Sequence, residues 1–186
     1  SNPDRVVIIS GQYDTVMTAG FADNGAGTAG VVELAGVFSE STRMDLYNPN
    51  YTLVFIAFAR EEWGLIGSTN YVMQHKAEMS SIVAVINMDC IGNDNLYMAR
   101  TDDAMSLNLD QRVLEAANDL NITASLHEQG GSDQEVFRNP SWASGSYSYW
   151  WPGLTANIAD ASPVLSSTML ISYPLLYSDL WNRGTH

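Results

Sequence analysis

Thr52-Leu53-Val54-Phe55-Ile56-Ala57-Phe58 runs for seven residues without a charge, and only its first residue is polar. A strand with one wet face alternates polar and apolar side chains, so this run must be covered on both faces. It reads as a central strand of a parallel sheet held between helices. Val6-Val7-Ile8-Ile9 and Ile82 to Met88 have the same character and read as further buried strands. Between them Val31, Leu34, Ala35 and Phe38 recur at helical spacing, which predicts an amphipathic helix over Thr28 to Ser39. Gly67 to Met79 and Ser106 to Leu120 read as a second and a third helix, and Ser167 to Ser172 as a late strand. Tyr173 to His186 has no clear period. The strand–helix alternation predicts an α/β fold, a three-layer sandwich whose mixed, mainly parallel sheet is flanked by helices. At 186 residues the chain is sized for one domain.

Right-handed crossovers place the C-terminal ends of parallel strands along one edge, where open sheets bind ligands. Each of the three strong strands runs toward acids there: Asp14, Glu61-Glu62 and Asp89. A single strand-end acid is ordinarily a solvated surface residue. Several gathered in one cleft cannot all stay ionised without compensation, and a divalent metal both neutralises them and uses their lone pairs. Oxygen donors joined by a histidine suit zinc, with manganese and cobalt as less common occupants.

The rest of the composition narrows the partners. Eight Lys and Arg stand against 21 Asp and Glu, a net charge of −13, which repels phosphate backbones and disfavours nucleic acid and anionic membrane alike. No apolar run approaches the roughly 20 residues of a membrane span. The first five residues, Ser1 to Arg5, do not resemble a signal peptide. The one cysteine, Cys90, excludes an internal disulfide and reads as a buried structural thiol.

Four segments carry a family resemblance. Asp23-Asn24-Gly25-Ala26-Gly27 opens the first helix, and Glu61-Glu62-Trp63-Gly64-Leu65-Ile66-Gly67-Ser68 is the longest and most specific match. Asn87-Met88-Asp89 resembles a third metal-binding strand end, and Gly131-Ser132-Asp133 a later Ser-Asp-His segment. Together they resemble the co-catalytic zinc aminopeptidases of metallopeptidase family twenty-eight, clan MH, whose members include leucyl aminopeptidases, glutamate carboxypeptidase II and glutaminyl cyclase. The match is strong from Val6 to Gly92 and weaker beyond Phe137.

The resemblance implies that Asp23 bridges two metals, that Glu62 and Asp89 each hold one, and that Glu61 is the general base. It implies a zinc-dependent exopeptidase of the aminopeptidase type acting on a peptide or aminoacyl substrate, often secreted in relatives. It also implies that a strand before Val6 and a helix after His186 are missing from this chain. Adjacent strand residues face opposite ways, so Glu61 and Glu62 can share a site only where the chain turns, and Gly64 permits that.

Two departures shape the expectation. Where the family has His-x-Asp, this chain has Gln12-Tyr13-Asp14: the orienting acid remains, its histidine does not. Gln134 replaces the histidine of Ser-Asp-His. His186, in a Thr185-His186 pair, matches the family's last ligand, while a rival alignment puts Tyr177 there. Asp23, Glu62 and His186 would make a three-ligand zinc site with one open position. The expectation is therefore one zinc, with a second position weakened at Gln12, Asp23 and Asp89. Two other readings stand beside it: a peptidase-like binding domain without catalysis, and a single-zinc acyl transferase resembling glutaminyl cyclase.

The remaining candidates are modest. Ser132, Asp133, Tyr147 and Trp150 could wall a substrate pocket, although the aromatics from Trp142 to Trp151 read equally well as loop packing. His75 reads as surface, and His127 as a loop histidine that could approach the cleft. Asn50-Tyr51-Thr52 and Asn121-Ile122-Thr123 are glycosylation sequons of a kind that arises by chance.

Overall fold

A computed structural model describes residues 2–17, 19–92, 96–99, 104–127, 131–138 and 167–171. They form a six-stranded sheet from β1 (Val6–Gln12), β2 (Thr52–Phe58), β3 (Ile82–Met88), β4 (Leu96–Ala99), β5 (Ala124–His127) and β6 (Ser167–Ile171). The helices are α1 (Gly27–Arg43), α2 (Ile66–Gln74), α3 (Ala104–Asp119) and the single turn α4 (Gln134–Arg138). Strand order is β2-β1-β3-β6-β4-β5. All neighbours are parallel except β4 and β6, so β4 and β5 run opposite to the rest. The sheet is thus mixed and mainly parallel, between helices, as its apolar runs predict.

Alternation sends the two sets of strand side chains to two cores. Ile8, Val85 and Phe58 pack with Leu65 and Val72 of the α2 region and with Val136 and Phe137 of α4. Ile9 and Met88 pack on the other face with Val31 of α1, joined by Leu34 and Phe55. Phe58, Tyr71 and Phe137 meet in pairwise ring contacts with centroids about 6 Å apart, a geometry aromatic pairs favour.

Three expectations need correcting. The run Thr52–Phe58 is a strand with the predicted bounds, but it lies at the end of the strand order among the described residues and is mostly half-buried. Its apolar character has another cause: Phe55 packs toward Phe38 of α1, while Val54 and Ile56 face the other core. An apolar run reports two covered faces, not two neighbouring strands. The helix expected over Gly67 to Met79 stops at Gln74, and Lys76–Ser81 tightens into a 3₁₀ turn that buries Met79. His127 is on a strand rather than a loop. It ends β5, which two strands separate from β3 and which runs away from the acid-bearing edge.

Candidate metal centre at the C-terminal sheet edge

Each acid reaches the edge by a different local device. β1 ends at Gln12, whose carbonyl accepts from Thr28 Oγ1 at 2.5 Å, tying the strand to the start of α1. The turn Phe21–Ala26 then carries Asp23 and Asn24, neither of them helical in backbone. Asn24 is buried. Its Oδ1 accepts from Gly27 N at 2.9 Å and Cys90 N at 3.2 Å, and its Nδ2 donates to Met88 O at 2.9 Å. One amide therefore caps α1, holds the turn and fixes the end of β3.

Beyond β2 the chain reverses. Arg60 has φ 57° and Gly64 φ 98°, and the Glu61 carbonyl accepts from Gly64 N at 2.7 Å and Leu65 N at 2.8 Å. This turn lets consecutive acids serve one site, with Glu61 buried and Glu62 half-buried. Asp14 Oδ1 accepts the Glu61 N–H at 3.0 Å, so the acid after β1 positions the turn after β2.

The floor is a buried polar chain. Ser10 Oγ donates to Asn87 Oδ1 at 2.8 Å, and Asn87 Nδ2 donates to Ser132 Oγ at 3.0 Å and Gln134 Oε1 at 3.3 Å. Gln134 thus spends its carbonyl oxygen on the floor. Ser132 is buried too, and its hydroxyl helps to hold Asp89 ionised.

Gln12 has no exposed surface. Its Nε2 donates to Asp23 Oδ1 at 2.8 Å and, more weakly, to Asp89 Oδ1 at 3.4 Å. Its Oε1 is buried with no hydrogen-bond partner among the described residues.

Burial is the leading cause of every resolved shift among these acids. Burial raises Asp23. Burial with Asp23 nearby takes Asp89 to about 6 and Glu62 to about 7. Burial takes Asp133 to about 7. Glu61 rises furthest, to about 9, through burial and then Asp89, Asp133, Glu62 and Asp23. The charges named as acting on Glu61 among the described residues, those of Asp89, Asp133, Glu62 and Asp23, are all negative.

The donor set fits a divalent ion. An oxygen of Asp23, an oxygen of Asp89 and the sulfur of Cys90 all lie within 4.8 Å of one another, and carboxylate with thiol suits zinc. Cys90, read from sequence as a structural thiol, is buried as expected but stands inside the acid cluster. The only sequence signal for this was its place directly after Asp89.

Sequence-predicted Gln12, Asp14, Asp23, Glu61, Glu62, Asp89, Ser132 and Asp133 all gather at this edge. His186, Tyr177, Tyr147 and Trp150 lie outside the described residues. His75 lies elsewhere, its Nδ1 3.1 Å from Glu78 Oε2 and its ring stacked on Tyr71. Among the described residues no helix is long and apolar enough to cross a membrane.

Residues 1–156 match the family model described as Peptidase family M28. A "Probable zinc metalloprotease" of Pyrenophora teres f. teres is 30% identical over 147 residues, covering 74% of this chain and 30% of that protein. A "Probable glutamate carboxypeptidase LAMP1" of Arabidopsis thaliana is 29% identical over 178 residues, covering 89% of this chain and 25% of that one. Among solved structures, an aminopeptidase from Aneurinibacillus sp. strain AM-1 superposes with a TM-score of 0.67 at 24% identity, over 93% of this chain and 36% of that one. The chain thus spans about a third or less of the relatives it matches.

Proposed function

The chain belongs to peptidase family M28, and on that premise we propose that it is a zinc-dependent exopeptidase of the aminopeptidase type. Its substrate would be a peptide or aminoacyl compound cleaved at the first peptide bond. The observation that carries this reading is the environment of Glu61. The residue is 6% exposed, its backbone is held by Asp14, and Asp89, Asp133, Glu62 and Asp23 all act on its carboxyl.

We assign one metal position to Asp23, Glu62 and His186, and a second, weaker one to Asp23 and Asp89 beside Gln12. Bound zinc would acidify a water and offset charge developing on the scissile carbonyl oxygen. Glu61 takes the proton of the attacking water on its carboxylate and delivers it to the leaving amine nitrogen. Burial among other acids holds Glu61 protonated in the metal-free chain, and the positive charge of a bound metal would lower its proton affinity so that the carboxylate is present to accept. Asp14 keeps the Glu61 turn in place, and the Ser10–Asn87–Ser132 chain keeps Asp89 at the edge.

The test is Glu61→Gln, which removes the base and keeps the volume. Metal content should be unchanged, and turnover of aminoacyl substrates should fall by about 10²-fold or more. Retained turnover would remove Glu61 from the role of base.

A second reading, a binding domain without catalysis, is favoured by one observation. The Gln12 amide already donates to both Asp23 and Asp89, which eases their repulsion without a cation. A chain that takes up no zinc when it is supplied would decide for this reading.

A further inference from the structure

Gln12 stands where the family resemblance puts a metal-binding imidazole for the Asp23–Asp89 position, yet a sulfur donor stands beside the same two acids. Cys90 Sγ lies 3.5 Å from Asp89 Oδ1 and within 4.8 Å of an Asp23 oxygen. We propose that Cys90 is a metal ligand, so that Asp23, Asp89 and the Cys90 thiolate hold one divalent, thiophilic ion at the position that lacks a histidine.

Three features place the sulfur there. Asp89 and Cys90 are consecutive, and in an extended strand their side chains would diverge. Cys90 instead has φ 55°, an uncommon conformation for a residue with a side chain, and the turn brings both onto one site. Its backbone is held there, because Asn24 Oδ1 accepts the Cys90 N–H.

Gln12 supplies an independent sign that a ligand belongs at this point. It has no exposed surface, its amide faces Asp23 and Asp89, and its Oε1 has no partner among the described residues. Turning that amide end for end would bring Oε1 to the acids as a fourth donor without changing the volume. Two carboxylates and a thiolate select zinc, cobalt or cadmium over magnesium or calcium, whose ligands are oxygen. On binding, the S–H proton is released to solvent as the sulfur–metal bond forms, and nothing is oxidised or reduced.

This rests on the metallopeptidase reading, and one titration separates the two. The chain is stripped with chelator and titrated with cobalt(II), with stoichiometry from equilibrium dialysis and ligand type from absorption. Thiolate coordination gives an intense sulfur-to-cobalt charge-transfer band in the near ultraviolet. Carboxylate and imidazole ligands give only the weak visible bands. Because the chain has one cysteine, the band assigns itself without a variant.

The expected result is a charge-transfer band whose intensity corresponds to one thiolate-bound cobalt per chain, whether or not a second cobalt binds, and which vanishes in Cys90→Ser. That variant should bind this ion more than about 100-fold more weakly, beyond what loss of an outer partner typically costs. Cobalt bound without the band would overturn Cys90 as a ligand and leave the metallopeptidase reading standing. No cobalt or zinc bound at all would overturn both.

Discussion

Asn24→Ala removes a single side chain that three segments share. Its Oδ1 accepts from Gly27 N and Cys90 N, and its Nδ2 donates to Met88 O, all at 2.9 to 3.2 Å and all buried. The Gly27 bond is a helix cap, and losing one costs about 1 kcal/mol. The other two leave a buried N–H and a buried carbonyl without partners, at about 1–2 kcal/mol each. The expected destabilisation is roughly 3–5 kcal/mol, a large share of the ~5–15 kcal/mol available to a typical domain. Asn24→Asp keeps the accepting oxygen but replaces the donor with a further buried carboxyl in the acid cluster, so it should cost more than about 1–2 kcal/mol at neutral pH and less once that carboxyl is protonated. Urea unfolding of the metal-free chain, followed by tryptophan fluorescence and far-ultraviolet circular dichroism, would measure both, with slopes compared to confirm like transitions. An Ala variant within about 1 kcal/mol of the parent would refute the argument. Equal costs for Ala and Asp at a pH where the new carboxyl is neutral would refute the part assigned to the cap and to Cys90.

Two other outcomes follow from the same geometry. A Cβ on Gly27 would lie 2.2 Å from Met88 O and 2.3 Å from Asn24 Oδ1, so Gly27→Ala should destabilise by about 1–3 kcal/mol. Gly36, on the exposed side of the same helix with nothing within 4 Å, should accept Ala at no cost or gain up to about 1 kcal/mol; similar unfolding midpoints for the two variants would contradict the close approach. In the metal-free chain, Glu61 at about 9, Glu62 and Asp133 at about 7, and Asp89 at about 6 all sit above ordinary carboxyl values. The folded form therefore holds protons that the unfolded chain has released, and stability falls as pH rises through this window. Melting temperature in chelator should drop between about pH 5 and about pH 8, and saturating zinc should flatten the drop; a rising melting temperature in chelator would contradict the crowding of these acids.

The sequence was most readable where one face of a pattern meets one physical cause. β1 and β3 are buried on both sides and carry β-branched runs, so their place and their acidic ends were legible. β2 showed that such a run speaks of its two faces and says nothing of its lateral neighbours. β4 and β5 are four residues each, too short to develop a period, and their reversed direction has no local signature. Asp14, Glu61, Glu62 and Asp89 stood out because three strands run toward acids at a single edge, and Asp23 stood out through the family resemblance of its segment. The donor beside them did not. Cys90 reaches the cluster through a left-handed turn and an amide 66 residues earlier in the chain, and neither shows in residue order. The same holds for Asn24 and for the Ser10–Asn87–Ser132 floor, whose members look like ordinary polar residues until the strands pair.

Because β3 rather than β2 lies inside the sheet beside β1, the bonds joining Ser10 to Asn87 and Gln12 to Asp89 each span 77 residues. Such long closures are entropically unfavourable and are met late in folding. Repulsion among the full set of acids is consequently postponed until most of the apolar burial that outweighs it is in place. During synthesis β1, α1 and β2 can collapse with Asp14, Asp23, Glu61 and Glu62 already present, while Asp89 and Cys90 have yet to join them. Metal capture at the Asp23–Asp89–Cys90 position then requires docking of the third strand, so a stopped-flow sulfur-to-metal signal would report that docking rather than the first collapse.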